Sequence, residues 1–249
     1  MSDCFSGTVG SSRSDMPADP RLVARIRKAR RPGAGGARII PAQRRSGERR
    51  VLRRLVLRFA IFTGFLGALL PASPLPDRAA LLIAGAMEQV NVTTIYDSRY
   101  VKLAYPGGDL PIERGVCADV IVRAYRRLNV DLQVLVHDDM AANWSKYPHL
   151  WQERRPDFNI DHRRVPNLQT FFRRHGRVLP VSADPADYRS GDIVTWRLPS
   201  GAAHIGLLTD KREGHHFLVV HNVGRGARIE DVLFEYVVTG HYRIFLEGS

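Results

Sequence analysis

Three side chains that are distant in the sequence have the types that nucleophilic catalysis requires. Cys117 follows Gly115 and Val116 and precedes a helical pattern of apolar residues, so we expect it at a helix start. Unpaired amide N–H groups and the macrodipole favour a thiolate there, and the same amides can hold an oxyanion. His204 opens one strand-like run and His221 closes the next. The sequence therefore predicts a triad in which His204 is the base for Cys117 and His221 orients His204.

The elements that would position this triad are helices followed by strands. Helical spacing covers Ala79–Val92 and Ala118–Leu128, a third helix has Pro166 in its first turn and stops at Gly176, and residues 131–160 have a mixed pattern. Alternating patterns then predict four strands, which are Asp192–Leu198, His204–Thr209, Phe217–Val223 and His241–Leu246. This order predicts an α+β fold, with N-terminal helices packed on a C-terminal antiparallel sheet, in one domain over residues 77–249. A hairpin would project both imidazoles from one sheet face onto the start of the Cys117 helix.

Two arginines are candidates for binding substrate. Arg163 and Arg164 come shortly after an aromatic segment that contains Trp144, and guanidinium groups pair bidentately with carboxylates. The alternative interpretation is that Asp157 and Asp161 tie both arginines into a structural loop.

Tyr96 and Asn222 are further candidates. Tyr96 either lines the cleft or packs in the core. Asn222 follows His221 directly, so it should face the other side of the strand, and it ranks below His221 as the orienting residue. The His and Asp residues between positions 137 and 162 lack the spacing of a known metal site, so we predict no metal and no cofactor.

The net charge of +12 is distributed unevenly. Residues 1–71 carry 15 Lys and Arg against 4 Asp and Glu, whereas residues 72–249 carry 22 against 21. A nucleic-acid-binding domain would carry the excess on its own surface, so this distribution argues against a nucleic-acid partner. Residues 1–50 are rich in Gly, Ser, Pro and Arg, which predicts a disordered basic tail. Two cysteines are too few for a disulfide framework.

Residues 51–76 have the order of a secretory signal. Arginines precede an apolar run, Leu55–Leu70, which is followed by a proline-rich stretch of small residues. We interpret this segment as a signal peptide or an uncleaved membrane anchor that contacts the membrane through residues 55–70; a buried helix is the alternative. Because the segment begins about fifty residues into the chain, translation from Val51 is a hypothesis that N-terminal sequencing would decide. Export would bring the folded part to the periplasm or cell envelope.

The pattern also resembles that of the NlpC-type cell-wall cysteine peptidases, which have a papain-like fold. The resemblance is carried in order by GVCADVIVRAYRRL, GDIVTW, HIGLL and VVHNVG. It implies that Cys117 is the nucleophile, that Gly191 and Asp192 form the family's Gly-Asp turn, and that His204 is the base and His221 the orienting residue. Many members have Asp-Cys-Ser at the nucleophile, where this chain has Val-Cys-Ala.

A closer resemblance, to the YijF-like family of bacterial exported proteins, extends over about residues 89–246. It is carried by YDSRYVKLAYPGGD, DFNIDHRRVPNL and GHYRIF, but that family has no assigned function. The NlpC-type resemblance implies an exported cysteine hydrolase that cleaves an amide in peptidoglycan stem peptides or another peptide. The alternatives are an amidase or acyltransferase acting on another substrate, and a non-catalytic cell-wall binding module.

Overall fold

The structure, a computed structural model, describes residues 77–246. Four α-helices come first, and a short parallel pair, β1 (Ile95–Tyr96) and β2 (Arg114–Gly115), lies between the first two. The helices are α1 (Arg78–Met87), α2 (Cys117–Arg126), α3 (Leu132–Ala142) and α4 (Val165–His175). Six strands follow, which are β3 (Arg177–Leu179), β4 (Ile193–Arg197), β5 (Ala203–Glu213), β6 (His216–His221), β7 (Arg228–Glu230) and β8 (Val237–Arg243).

The six strands form one antiparallel sheet in the order β3-β8-β4-β5-β6-β7. Successive residues of a strand point to opposite faces of the sheet, and each face packs in its own apolar cluster. Ile205 and Leu207 of β5 belong to the cluster that contains α2, whereas Leu208 packs with Trp196 on the other face. The prediction of an α+β fold, with N-terminal helices on a C-terminal antiparallel sheet, is confirmed.

The described residues also differ from the sequence prediction in some elements. The structure adds α3 inside the segment with a mixed pattern, and its buried Leu132, Leu135, Val136 and Met140 have helical spacing. Asp131 caps this helix by accepting a hydrogen bond from the amide of Gln133 at 3.0 Å. The sequence does not predict α3 because aromatic and polar residues without helical spacing follow its apolar residues directly.

Two edge strands, β3 and β7, were also not predicted. Each has three residues, which is too short for an alternating pattern to be recognised. The predictions for residues 1–50 and 51–76 fall outside the described residues. Within residues 77–246, no helix has the length and apolar character needed to cross a membrane.

Candidate active site

The segment that leads into α2 is fixed from two sides. Asp119, in the first turn, accepts a hydrogen bond from the amide of Val116 at 2.7 Å. Asn222 donates from Nδ2 to the carbonyl oxygen of Gly115 at 3.1 Å. Because both residues before Cys117 are held in this way, the nucleophile position has a defined backbone.

Cys117 lies at the first position of α2 and lines a cavity of about 610 Å³. This volume falls within the range of pockets that hold small molecules. Only 4% of the Cys117 residue is exposed. The other walls come from β1 and the loop after it, the loop before α4, and the start of β5 with the loop before it. They include Tyr96, Ser98, Tyr100, Trp151, Arg164 and Ala203.

Burial determines the protonation of the thiol. The pKa of Cys117 is raised to about 12, chiefly by burial, and the nearby Asp119 carboxylate acts in the same direction. The amides of Ile205, Ala118 and Cys117 itself lower the pKa of the thiol, as expected at a helix start, but they do not offset burial. The expectation that the helix N-terminus makes Cys117 a thiolate is therefore wrong for the unliganded site, where the thiol keeps its proton.

The two predicted histidines are in direct contact. Nε2 of His204 lies 2.9 Å from Nδ1 of His221, and Nε2 of His221 lies 2.8 Å from Oε2 of Glu230. Strand register explains the contact, since His221 is paired with Gly206, two residues after His204. A line of three hydrogen-bonded side chains thus runs from β5 through β6 to β7.

The imidazoles share one face of the sheet, but it is the Trp196 face. The ring of His204 lies 5.8 Å from the Trp196 ring, whereas α2 packs on the opposite face. The thiol reaches the sheet at the amide of Ile205, the neighbour of His204. Among the hydrogen bonds of residues 77–246, none joins the sulfur of Cys117 to a nitrogen of His204. The expectation that both imidazoles project onto the start of the Cys117 helix is therefore not met in the unliganded structure.

Both histidines are neutral at physiological pH. The pKa of His204 is lowered to about 3, chiefly by burial, and the neighbouring His221 acts in the same direction. Burial also lowers the pKa of His221, against which the carboxylate of Glu230 acts by charge and hydrogen bonding. The unliganded protein therefore holds a neutral thiol at the start of α2 and a neutral imidazole pair on the Trp196 face of the sheet.

Arg163 is committed to structure. It donates to Asp119 from Nε at 3.0 Å and from Nη2 at 3.0 Å, and it also binds the carbonyl oxygens of Asp97 and Arg99. Only 6% of the residue is exposed, although it lines the cavity, and four of its five N–H donors are used in these bonds. The alternative interpretation named Asp157 and Asp161 as the partners of Arg163, but its carboxylate partner in the structure is Asp119.

Arg164 remains at the cavity wall. Its guanidinium stacks over the Trp151 ring at 4.1 Å from the ring centre and forms an ion pair with Glu153. Trp144, the predicted aromatic partner, is not among the cavity residues; it packs partly against the core and meets the His149 ring edge-to-face at 4.4 Å. Trp151 takes that place instead.

Tyr96 and Asn222 have different positions. Tyr96 is partly exposed and lines the cavity, and burial raises the pKa of its hydroxyl to about 12. Asn222 is fully buried with its amide bound to Gly115, so it supports the nucleophile segment and is closed to substrate. The sequence analysis gave it a weak role in substrate binding, which its burial contradicts.

Glu230 and Asp119 are the two residues that sequence reasoning missed. Asp119 lies in the first turn of α2, and its buried partner, Arg163, lies 44 positions along the chain. Glu230 stands in a three-residue strand, and its approach to His221 depends on the pairing of that strand with β6. Within residues 77–246, no cluster of three or more His, Cys, Asp or Glu could hold a metal ion.

Fold and site together define an α+β domain with a cysteine at a helix N-terminus above a sheet that carries a histidine pair. Residues 83–244 match the model of the family described as Domain of unknown function (DUF1287), and the chain belongs to this family. The chain is 56% identical over 165 residues to the protein named Uncharacterized protein YijF of Escherichia coli (strain K12), which covers 66% of this chain and 80% of that protein. The resemblance to the YijF-like family is thereby confirmed.

A solved structure, that of NlpC1 from Trichomonas vaginalis, is also similar. The TM-score is 0.37 with 16% sequence identity, and the match covers 70% of this chain. The chain spans 45% of the length of that protein.

Proposed function

We propose that this protein is a cysteine hydrolase that cleaves an amide bond, and that its substrate is the stem peptide of peptidoglycan. The observation that carries the proposal is the position of Cys117 at the start of α2, in the wall of a cavity, beside the strand that carries His204. Behind His204 stands a hydrogen-bonded line of His221 and Glu230. A thiol, a base and a residue that orients the base are the parts that nucleophilic acyl chemistry requires.

The protonation states favour deprotonation during attack over a thiolate that exists beforehand. Sγ of Cys117 attacks the amide carbonyl while its proton passes to His204. The tetrahedral oxyanion accepts hydrogen bonds from backbone amides at the start of α2. His204 then returns the proton to the leaving amine, and a thioester on Cys117 remains. Water, deprotonated by His204, attacks the thioester carbonyl; the C–S bond breaks, the carboxylic acid leaves, and His204 returns the proton to Sγ of Cys117.

The chemistry of the cavity supports a short peptide with carboxylates as substrate. Tyr96, Tyr100 and Trp151 give it exposed aromatic surface, and Arg164 gives it a guanidinium stacked on one of those rings. Guanidinium groups bind carboxylates in a bidentate manner, so a substrate carboxylate would share or displace Glu153 on Arg164. Stem peptides of peptidoglycan are short and rich in carboxylates, and they lie outside the cytoplasm.

The proposed location is the periplasm or cell envelope. The order of arginines, apolar run and small residues over 51–76 supports export, and a retained apolar run at residues 55–70 would anchor the protein to the membrane. Delivery by this route would bring the active site to its proposed substrate.

Digestion of purified peptidoglycan tests the proposal. The full chain is incubated with sacculi, and the soluble products are identified by mass spectrometry. We expect the wild type to release peptides whose masses show the addition of water, and Cys117→Ala to release none. Cys4→Ala is the matched control, because Cys4 is the other cysteine of the chain and lies outside residues 77–246. It should retain full activity.

Three outcomes would overturn the proposal. Release of peptides by Cys117→Ala at the wild-type rate would show that Cys117 is not the nucleophile. Products joined to an acceptor amine would indicate acyl transfer. Sedimentation of the wild type with sacculi without any released product would indicate a binding module.

A further inference from the structure

We infer that Glu230 is a positioning residue that selects Nδ1 of His204 as the atom that takes the proton from Cys117. This inference rests on the proposed function. Glu230 acts through His221 and touches neither the thiol nor the cavity wall.

The direction of the hydrogen bonds follows from the carboxylate. An ionised carboxylate only accepts, so Nε2 of His221 must donate to Oε2 of Glu230 across 2.8 Å. In a neutral ring the other nitrogen then carries no proton, and Nδ1 of His221 becomes an acceptor. The contact of 2.9 Å between the two rings therefore requires Nε2 of His204 to donate. Nδ1 of His204 is left without a proton, which makes it the base.

Without Glu230 the opposite set of tautomers has similar hydrogen bonds between the rings. Nδ1 of His221 would then donate to Nε2 of His204, and Nδ1 of His204 would carry a proton. That arrangement presents the thiol with a donor instead of a base. Selection between the two sets thus depends on one carboxylate at the end of the line.

Charged groups around His221 act on it in both directions. Glu230 and Glu235 raise its pKa, whereas Arg225 lowers it, and His204 is the ring that faces it from β5. Arg225 is largely exposed and lies 3.5 Å from Glu230. Removal of Glu230 and removal of Arg225 should therefore move the protonation of the histidine pair in opposite directions.

Nitrogen-15 NMR of histidine-labelled protein tests the inference without any substrate. In the wild type we expect both His204 and His221 to be protonated at Nε2 and unprotonated at Nδ1. Glu230→Gln should populate the Nδ1-protonated tautomers and lower the pH at which the pair titrates. Arg225→Gln should keep the wild-type tautomers and raise that pH. A purely structural role of Glu230 would give no such opposed shifts.

Kinetics supply the second readout. Glu230→Gln should lower kcat/KM by about 10-fold to 100-fold, the size expected when a hydrogen bond to a charged group is lost. The acid limb of the pH profile of kcat/KM should lie at lower pH in Glu230→Gln than in the wild type. Wild-type tautomers and an unchanged titration in Glu230→Gln would overturn the inference, whatever the enzyme cleaves. An inactive wild type with the expected tautomers would instead contradict the proposed function alone.

Discussion

Replacement of Asp192 by Asn should lower the free energy of unfolding, because it weakens the sheet that carries His204. Asp192 is fully buried, and it accepts hydrogen bonds from His241 at 2.7 Å and from Arg243 at 2.6 and 2.7 Å. It also accepts from the amide of Arg189 at 2.9 Å. These bonds join the turn before β4 to β8.

The magnitude follows from the number of bonds that lose a charge. Three side-chain bonds to the carboxylate become bonds to a neutral amide, and each weakens by about 1 kcal/mol. The amide group that Asp192→Asn introduces would also turn one N–H donor toward Arg243 or His241. We therefore expect a loss of about 3 kcal/mol in the free energy of unfolding, near the cost of breaking a buried ion pair.

Urea unfolding followed by tryptophan fluorescence measures this loss, because Trp196 is fully buried on β4. With an m-value of about 2 kcal/mol/M, the midpoint of Asp192→Asn should fall by about 1.5 M. Asp187→Asn is the control, because Asp187 is exposed in the turn nearby. If Asp192→Asn lowers the midpoint no more than this control does, the reasoning about the buried carboxylate is refuted.

The effect should also depend on pH. Burial acts to raise the pKa of Asp192, but the bonds from His241, Arg243 and the Arg189 amide together hold this pKa below its usual value. A lowered folded-state pKa contributes stability that is present above the unfolded pKa of about 3.9 and is lost as pH falls through the folded pKa. The gap between wild type and Asp192→Asn should therefore be full at neutral pH and narrow in acid; a constant gap would contradict this.

Three further predictions concern single sites. Gly206→Ala would bring a Cβ to 2.6 Å from Val219 and should lower the free energy of unfolding by about 1–3 kcal/mol, and it should also lower activity. A thermal melt measures the loss of stability, and an unchanged melting temperature would contradict the close packing at Gly206. Asn222→Ala leaves the carbonyl of Gly115 without its hydrogen bond, so the free energy of unfolding should fall by about 1–2 kcal/mol and alkylation of Cys117 should slow. Alkylation of the variant at the wild-type rate would refute the role of Asn222 in holding this segment. Burial raises the pKa of Asp161 to about 7, so the stability of its protonated form is present in acid and lost as pH rises through that value. Asp161→Asn should thus be more stable than wild type by about 1–3 kcal/mol in urea at about pH 8 but not at about pH 5, and equal gaps would refute this.

Sequence reasoning found those parts of the fold that have a strong local pattern. The apolar face of α2 and the alternation in β4, β5 and β6 predicted these elements to within a few residues of their observed bounds. The capped helix α3 was missed because the polar aromatic segment after it hid its period. The edge strands β3 and β7 were missed because three residues carry no period.

The site was predictable in part for the same reason. Cys117, His204 and His221 stand at the ends of recognisable elements, and the hairpin that brings the histidines together follows from β5 and β6. The partners Glu230 and Asp119 depend on tertiary contacts that leave no local signal. The prediction that the thiol is ionised was wrong, because burial raises the pKa of Cys117 more than the amides at the helix N-terminus lower it. The sequence does not reveal this burial.

The most direct test of the account is the rate at which iodoacetamide alkylates Cys117 in the wild type and in His204→Ala. Peptide mass spectrometry follows Cys117, and Cys4 in the same chain serves as an internal reference. His216→Ala, at the half-exposed start of β6, controls for the loss of a nearby histidine. If His204 takes the thiol proton, His204→Ala should slow alkylation of Cys117 at about pH 7 by about 100-fold, while His216→Ala keeps the wild-type rate. Equal rates in His204→Ala and wild type would contradict the account.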